Sequence, residues 1–316
     1  MAEKKIIAVV GATGAQGGGL VRAILNDANS NFSPRAITRN AGSDKAKKLA
    51  DAGAEIVTAD LNDLDNVKKA FEGAYGAFCV TNYWELFSPE KEISQVKNMV
   101  IAAKDASLKH VIWSTLEDTR KWIPLSDDRM PTLMEKYKVP HFDGKGEADK
   151  YFEEAGVPTT YLIASFYWEN LIYFGVGPKK GPDGKLALTY PMADKKLAGV
   201  ATDDIGKTAY GIFKAGNKYI GKRVGVAGEH LTIKQMAEKL SKALGKEVVY
   251  NEVSPDTYRS FGFPGADDMG NMFQFHTDFP KDYLEIRNID ICHSLNPKLK
   301  NFDMWLEENK NRIPLE

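Results

Sequence analysis

The feature that most constrains this chain is an alternation of short apolar runs with helical stretches through its first half. Ile6–Val10 is apolar, ends at a glycine and reads as a buried strand. Gly17–Ala28 follows with Leu20, Val21, Ile24 and Leu25 at helical spacing. Arg35–Thr38, Glu55–Thr58, Ala77–Val80, His110–Trp113 and Thr159–Ile163 are further short strands. Between them lie Asp44–Ala52, stopped by Gly53, and Leu64–Phe71, closed by Gly73. A longer helix, Glu90–Ala106, carries Ile93, Val96, Val100 and Ile101 on one face. Such βαβ units build a parallel sheet with right-handed crossovers, helices on both faces and ligands outside the carboxyl ends of the strands.

The alternation stops after Ser114. Trp122–Pro140 contains Pro124, Pro131 and Pro140 without a clean period, so a long loop with one short helix is expected, in the manner of an active-site cover. After Ala164 only scattered strands and helices such as Lys234–Ala243 remain, and Gly175–Gly184 is rich in Gly and Pro. The expected fold is therefore α/β, a doubly wound parallel sheet with a smaller, irregular α+β second lobe. Residues 1–165 form the first domain, with 195–230 returning to it, and 166–194 and 231–316 form the second. The 316 residues suffice for this at about 150 residues per domain.

Composition removes several classes of function. Lys plus Arg is 42 against 43 for Asp plus Glu, which gives no reason to expect nucleic acid as the partner. No apolar run approaches the roughly 18–20 residues that span a bilayer, so no membrane is expected. The start, Met-Ala-Glu-Lys-Lys, leads straight into a strand with no signal peptide, so a cytoplasmic location is expected. Cys79 and Cys292 cannot supply a disulfide framework or a four-ligand zinc site, and the scattered histidines predict no catalytic metal. Neither a G-x-S-x-G elbow nor the Lys-Ser/Thr of a P-loop is present.

The strongest local signal is Gly11-Ala-Thr-Gly-Ala-Gln-Gly17, between the first strand and the first helix. Gly11 permits a tight turn, Gly14 lets backbone approach phosphates, and Gly17 allows close helix–strand packing. The helix N-terminus then offers N–H groups and a partial positive charge to a pyrophosphate. This arrangement predicts a Rossmann-type dinucleotide site. An NAD site has Asp or Glu about 20 residues past the glycines, at the end of the second strand, for the ribose 2′-OH. Pro34–Asn40 has no carboxylate, and Arg39 stands in that place. A guanidinium suits a 2′-phosphate, so NADP(H) is the expected cofactor. Asp60 and Leu61, after the third strand, fit contacts to the adenine, although an Asp there is also a common helix cap.

Together, Gly11–Gly17, Thr38-Arg39, Val80-Thr-Asn-Tyr-Trp-Glu85, His141-Phe-Asp-Gly-Lys-Gly-Glu147 and Tyr167-Trp-Glu-Asn-Leu171 resemble the NmrA-like family of atypical short-chain dehydrogenase/reductases. The resemblance extends to Phe263-Pro-Gly-Ala266 and Asn271-Met-Phe273, and is greatest to NADP(H)-binding redox sensors of that family. It implies cofactor contacts from Thr13, Ala15 and Gln16 beside the glycines, and from Thr38 beside Arg39. It also implies contacts from Thr81, Asn82 and Tyr83 after the fourth strand, and from Tyr167, Glu169 and Asn170 after the sixth. Lys97 resembles a lysine that approaches the cofactor, and is equally a solvated helix lysine. For Tyr83 and Tyr167, plain packing competes with ligand contact.

The catalytic question turns on one position. A short-chain dehydrogenase uses Tyr-x-x-x-Lys, with a Ser at the end of the fifth strand. Here Ser114 and Lys145 are retained and His141 occupies the tyrosine position, one helical turn before Lys145. Either the acid has been lost and Lys145 merely fixes the nicotinamide ribose, or the imidazole donates the proton. A neighbouring Lys⁺ lowers an imidazole pKa and favours the first reading. Tyr137 and Tyr167 remain as acids supplied by loops. Two functions follow. One is an NADP(H)-responsive regulator with a protein partner; the other is an NADPH-dependent reductase of a small quinone or aromatic carbonyl substrate.

Overall fold

A computed structural model describes residues 3–181 and 184–315. Met1 and Ala2, Pro182 and Asp183 within the Gly/Pro-rich segment, and Glu316 lie outside the described residues. Six strands and six helices alternate first. They are β1 (Lys5–Val9), α1 (Ala15–Leu25), β2 (Phe32–Thr38), α2 (Asp44–Asp51), β3 (Glu55–Thr58), α3 (Leu64–Phe71), β4 (Gly76–Cys79), α4 (Tyr83–Leu86), α5 (Pro89–Asp105), β5 (His110–Thr115), α6 (Pro140–Ala155) and β6 (Thr159–Ile163). The second half contributes β7 (Phe166–Tyr167), α7 (Asn170–Tyr173), β8 (Lys179–Lys180), β9 (Leu186–Tyr190), β10 (Lys196–Val200), α8 (Thr202–Lys214) and β11 (Arg223–Gly225). After these come β12 (Glu229–Thr232), α9 (Ile233–Leu244), β13 (Val248–Glu252), α10 (Pro255–Arg259), α11 (Ala266–Asp278) and three short C-terminal helices.

The principal sheet has seven strands in the order β11-β6-β5-β4-β1-β2-β3. Its neighbours from β6 to β3 run parallel. This is a doubly wound α/β sheet. Strand order reverses between β1 and β4, and a crevice at the carboxyl ends of those two strands is the expected ligand position in such sheets. The core on one face joins Val96, Met99 and Val100 of α5 to Phe71, Trp113 and Phe152, all buried. Trp113 and Phe152 stack with ring centroids 5.6 Å apart. Fully burying a side chain of this size contributes about 1.5–3 kcal/mol, which keeps the strand ends in register for the loops they carry.

The chain divides into two compact units. The first takes the chain up to Asp118, together with His141–Ala164 and Asp203–Val224. The second takes Thr119–Pro140, Ser165–Thr202 and the chain from Gly225 onward. The second holds two three-stranded sheets, β12-β10-β7 and β13-β9-β8. Within it the proline-containing segment 119–140 is hydrogen-bonded to itself and to α11. The buried Lys138 donates to the carbonyls of Asp127 and Met130 at 2.7 and 2.8 Å. Asn271 of α11 donates to the carbonyls of Pro131 and Lys138. No helix among the described residues is long and apolar enough to cross a membrane.

Candidate functional site

The glycine loop leaves β1 with Val10 N–H bonded to the Phe78 carbonyl of β4 (2.9 Å) and Ala12 N–H to the Ile37 carbonyl of β2 (3.2 Å). Gly11 turns the chain with φ +64°, a conformation that a Cβ disfavours. A Cβ on Gly17 would lie 2.6 Å from the Gly11 carbonyl oxygen, so the helix can start against the strand end only with glycine there. Gly14 occupies the N-cap of α1. No side chain caps that terminus, and no acidic residue stands in its first turn. The leading amides of an eleven-residue helix therefore face the switch point without a competing anion, the condition for holding a phosphate. Thr13 is half-buried, Ala15 exposed and Gln16 buried on this turn.

Thr38 ends β2, buried, and accepts from Asn40 N–H. Arg39, which follows it, is paired bidentately with Glu85 of α4. The longer of the two bonds runs 3.0 Å from Nη2 to Oε2. Asn82, at the N-cap of α4, reaches Glu85 Oε2 at 3.5 Å. The bonds to Glu85 raise Arg39 above its ordinary pKa, and the guanidinium holds the Glu85 carboxyl below the usual carboxylate range. Asp60 acts on both through its field. Its own carboxylate closes a turn, accepting from the Asn62 N–H at 2.9 Å and from the Asn62 side-chain amide at 2.8 Å. Leu61, half-buried, is fastened through its carbonyl to Asn98 of α5.

At the end of β4 a buried polar knot contains Lys145. Its Nζ donates to Thr81 Oγ1 (2.8 Å), to the Thr81 carbonyl (3.3 Å) and to Glu92 Oε1 (2.6 Å). Thr81 Oγ1 in turn donates to Glu92 at 2.7 Å. The Lys145 side chain is 11% exposed and that of Glu92 1%. Lys145 Nζ also lies 5.5 Å over the Trp113 ring. His141, 6% exposed, is enclosed by rings: Phe142 at 4.7 Å, Trp84 at 4.8 Å and Tyr83 at 5.8 Å between centroids. Tyr83 is itself 3% exposed and packs against Trp84 and Phe87.

Other candidate residues lie elsewhere in the two units. Ser114 is buried in β5, but the strand runs one residue further, and it is the Thr115 hydroxyl that contacts Asp149 and the Lys145 carbonyl. Lys97 is exposed on α5 and lies 4.7 Å over the Tyr151 ring of α6. In the second unit, Tyr167 is half-buried in β7, and Asn170 begins α7. Glu169 accepts from Thr202 N–H and Trp305 Nε1, each at 3.0 Å, so it serves as a clasp of that unit. Tyr137 is fully enclosed in the 119–140 segment, its backbone paired with Leu133. No group of three or more His, Cys, Asp or Glu among the described residues could hold a metal.

Comparison with known proteins bears on this geometry. The pattern of the NmrA-like family matches residues 3–306. The chain belongs to the NmrA-like family. An NmrA-like oxidoreductase, FrzB of Cladobotryum sp, is 30% identical over 293 residues, covering 85% of this chain and 83% of FrzB. NmrA, a negative transcriptional regulator, has been solved in complex with NADP; it is 24% identical with a TM-score of 0.78, over 97% of this chain and 95% of NmrA. Its NAD complex is similar at 23% identity and the same TM-score, with the same coverage. The NADP(H) complex of the triphenylmethane reductase of Citrobacter sp shares the fold at 20% identity and a TM-score of 0.72, over 96% and 99% of the two chains.

NmrA-like motifs acquire physical reasons in this chain. In His141–Glu147, two glycines sit inside α6, where each costs roughly 1 kcal/mol relative to alanine. A Cβ on Gly144 would meet Pro89 Cβ at 2.8 Å, and one on Gly146 would meet Asp118 N at 2.4 Å. They let α6 press against the start of α5 and the segment after β5, and so bring Lys145 within reach of Glu92. The Tyr167–Leu171 string anchors Trp168, buried against Phe302 and Trp305. Asn271 of the Asn271–Phe273 string ties α11 to the 119–140 segment and accepts from Arg259 at 2.9 Å.

Glu85 and Glu92 are the residues of this site that sequence reasoning missed. Glu92 had a signal: it stands four residues before Val96 and eight before Val100, a carboxylate on the apolar stripe of α5. Glu85 lies within a family string but carries no local mark, because its partner is 46 residues away.

Proposed function

We propose that this chain binds NADP(H), with the pyrophosphate on the α1 N-terminus, the 2′-phosphate on Arg39 and the nicotinamide ribose near Lys145, and that it works as a redox-responsive regulator. The bare N-terminus of α1 at the switch point carries the cofactor reading. The enclosure of His141 carries the regulatory one. A proton donor must reach its substrate, but this imidazole, where short-chain dehydrogenases have a tyrosine, is walled in by Phe142, Trp84 and Tyr83. That NmrA is a regulator solved with both NAD and NADP supports the same reading. The output would be a cofactor-dependent change in shape or in affinity for a protein partner.

A second reading, an NADPH-dependent reductase of a quinone or aromatic carbonyl, draws on Ser114 and Lys145 and on the oxidoreductase names of relatives such as FrzB. The test is to follow reduced nicotinamide absorbance with a panel of quinones and aldehydes, and hydrodynamic radius with NADPH and NADP+. The regulatory reading expects no turnover above background and a cofactor-dependent radius. Turnover that disappears in Lys145→Ala would replace it with the reductase.

A further inference from the structure

We propose that Glu85 is a specificity-determining residue of the cofactor site, setting how strongly the chain prefers NADP(H) over NAD(H); this rests on the dinucleotide reading above. The segment at the end of β2 has an arginine and no acid, which by itself argues for a 2′-phosphate. The fold supplies the acid from elsewhere: Glu85 of α4 meets the same guanidinium with both carboxylate oxygens. The position beside Arg39 therefore holds the two groups that dinucleotide sites use for opposite purposes, a cation for a 2′-phosphate and a carboxylate that accepts from a ribose 2′-OH.

The two groups compete. A 2′-phosphate that takes the Nη1/Nη2 edge of Arg39 displaces Glu85 and then remains close to it, with the field of Asp60 adding to the repulsion. The pair is exposed enough to yield, at 66% for the arginine side chain and 44% for the glutamate. Its backbone is less free to withdraw. Tyr83 is buried on the same short helix, Trp84 lies against His141, and Phe87 closes the helix with its N–H bonded to the Tyr83 carbonyl at 2.7 Å. Displacement is thus a rotation of the Glu85 side chain, and the carboxylate stays nearby. With NAD(H) no displacement is needed, and the 2′-OH can donate to Glu85 while Arg39 remains paired.

The experiment is calorimetric titration of the full chain with NADP+ and NAD+, for the native sequence, Glu85→Gln and Glu85→Asp. Removing the charge should tighten NADP+ about tenfold, the scale of one charged hydrogen-bond competitor, and leave NAD+ unchanged or weaker. Glu85→Asp keeps the charge on a shorter arm, so its ratio should fall between the other two. Glu85→Gln binding both dinucleotides with the native ratio, or shifting toward NAD+, would overturn the inference while leaving the cofactor reading intact. A native chain that binds neither dinucleotide would overturn the cofactor reading and this inference with it. Thermal denaturation of each variant checks that the comparison is made on folded protein.

Discussion

Two ion pairs flank the switch point, and they differ in nearly every respect. Lys145–Glu92 is buried, shares Thr81 as a third member and fixes the end of β4. Arg39–Glu85 is exposed, has a long contact to Asn82 and the field of Asp60 beside it, and joins a loop to a four-residue helix. Burial makes the first pair rigid and costly to break, because removing one partner strands a charge away from water. Exposure makes the second cheap to rearrange and a small contributor to stability. One end of the proposed cofactor site is therefore part of the fold, and the other is adjustable chemistry attached to it.

The contrast breaks most easily at its buried end. Lys145→Ala should lower stability by about 3–5 kcal/mol, because Glu92 is left without its cation; urea unfolding reads this directly. A loss near zero would show that the knot is not structural. Gly17→Ala comes next, at roughly 1–3 kcal/mol, since the new methyl meets backbone atoms that have no rotamer to escape into. The same change should abolish dinucleotide binding by pushing α1 off the strand end, and calorimetry with NADP+ checks it.

Acidification separates buried from exposed titrating groups. Burial pushes His110 down to about 4, while an unfolded histidine titrates near 6.5. The unfolded chain takes up the proton first as pH falls, so this residue removes stability between about pH 6.5 and 4, by roughly 2 kcal/mol at pH 5. Asp149 opposes it. Burial raises this carboxyl to about 6, against the pull of Arg223, so the folded chain takes up the proton first and gains stability as pH falls from about 6 toward 3.8. Urea midpoints at pH 7 and pH 5 should show a shallower acid loss in His110→Leu than in the native chain, and a steeper one in Asp149→Asn. The smallest effect on stability belongs to Arg39→Ala, under about 0.5 kcal/mol, because the pair it breaks is exposed. Its effect on binding should be large for NADP(H) and small for NAD(H). Equal losses would remove the 2′-phosphate assignment.

What was legible in the sequence follows the range of the forces involved. Glu55–Thr58, Leu64–Phe71 and Thr159–Ile163 have the bounds that periodicity predicts, because period and stop signals are local. The glycine loop is legible for the same reason: turn, phosphate approach and packing are written within seven residues. Helix α4 is not, since Tyr-Trp-Glu-Leu is too short to show a period and is held by contacts to His141. The same holds for the partners of the two cations. Glu92 lies 53 residues from Lys145 and Glu85 46 residues from Arg39, so only the fold brings them together. Arg39 alone points one way, to a 2′-phosphate, and Glu85 is the group that opposes it.

A crystal structure of the chain grown with NADP+ would test the central claim most directly. The account predicts the pyrophosphate against the amides at the start of α1, the 2′-phosphate on Arg39 and the Glu85 side chain rotated away, with Lys145 still bonded to Glu92. A dinucleotide bound elsewhere, or a 2′-phosphate pointing to solvent while Arg39 stays paired with Glu85, would contradict it.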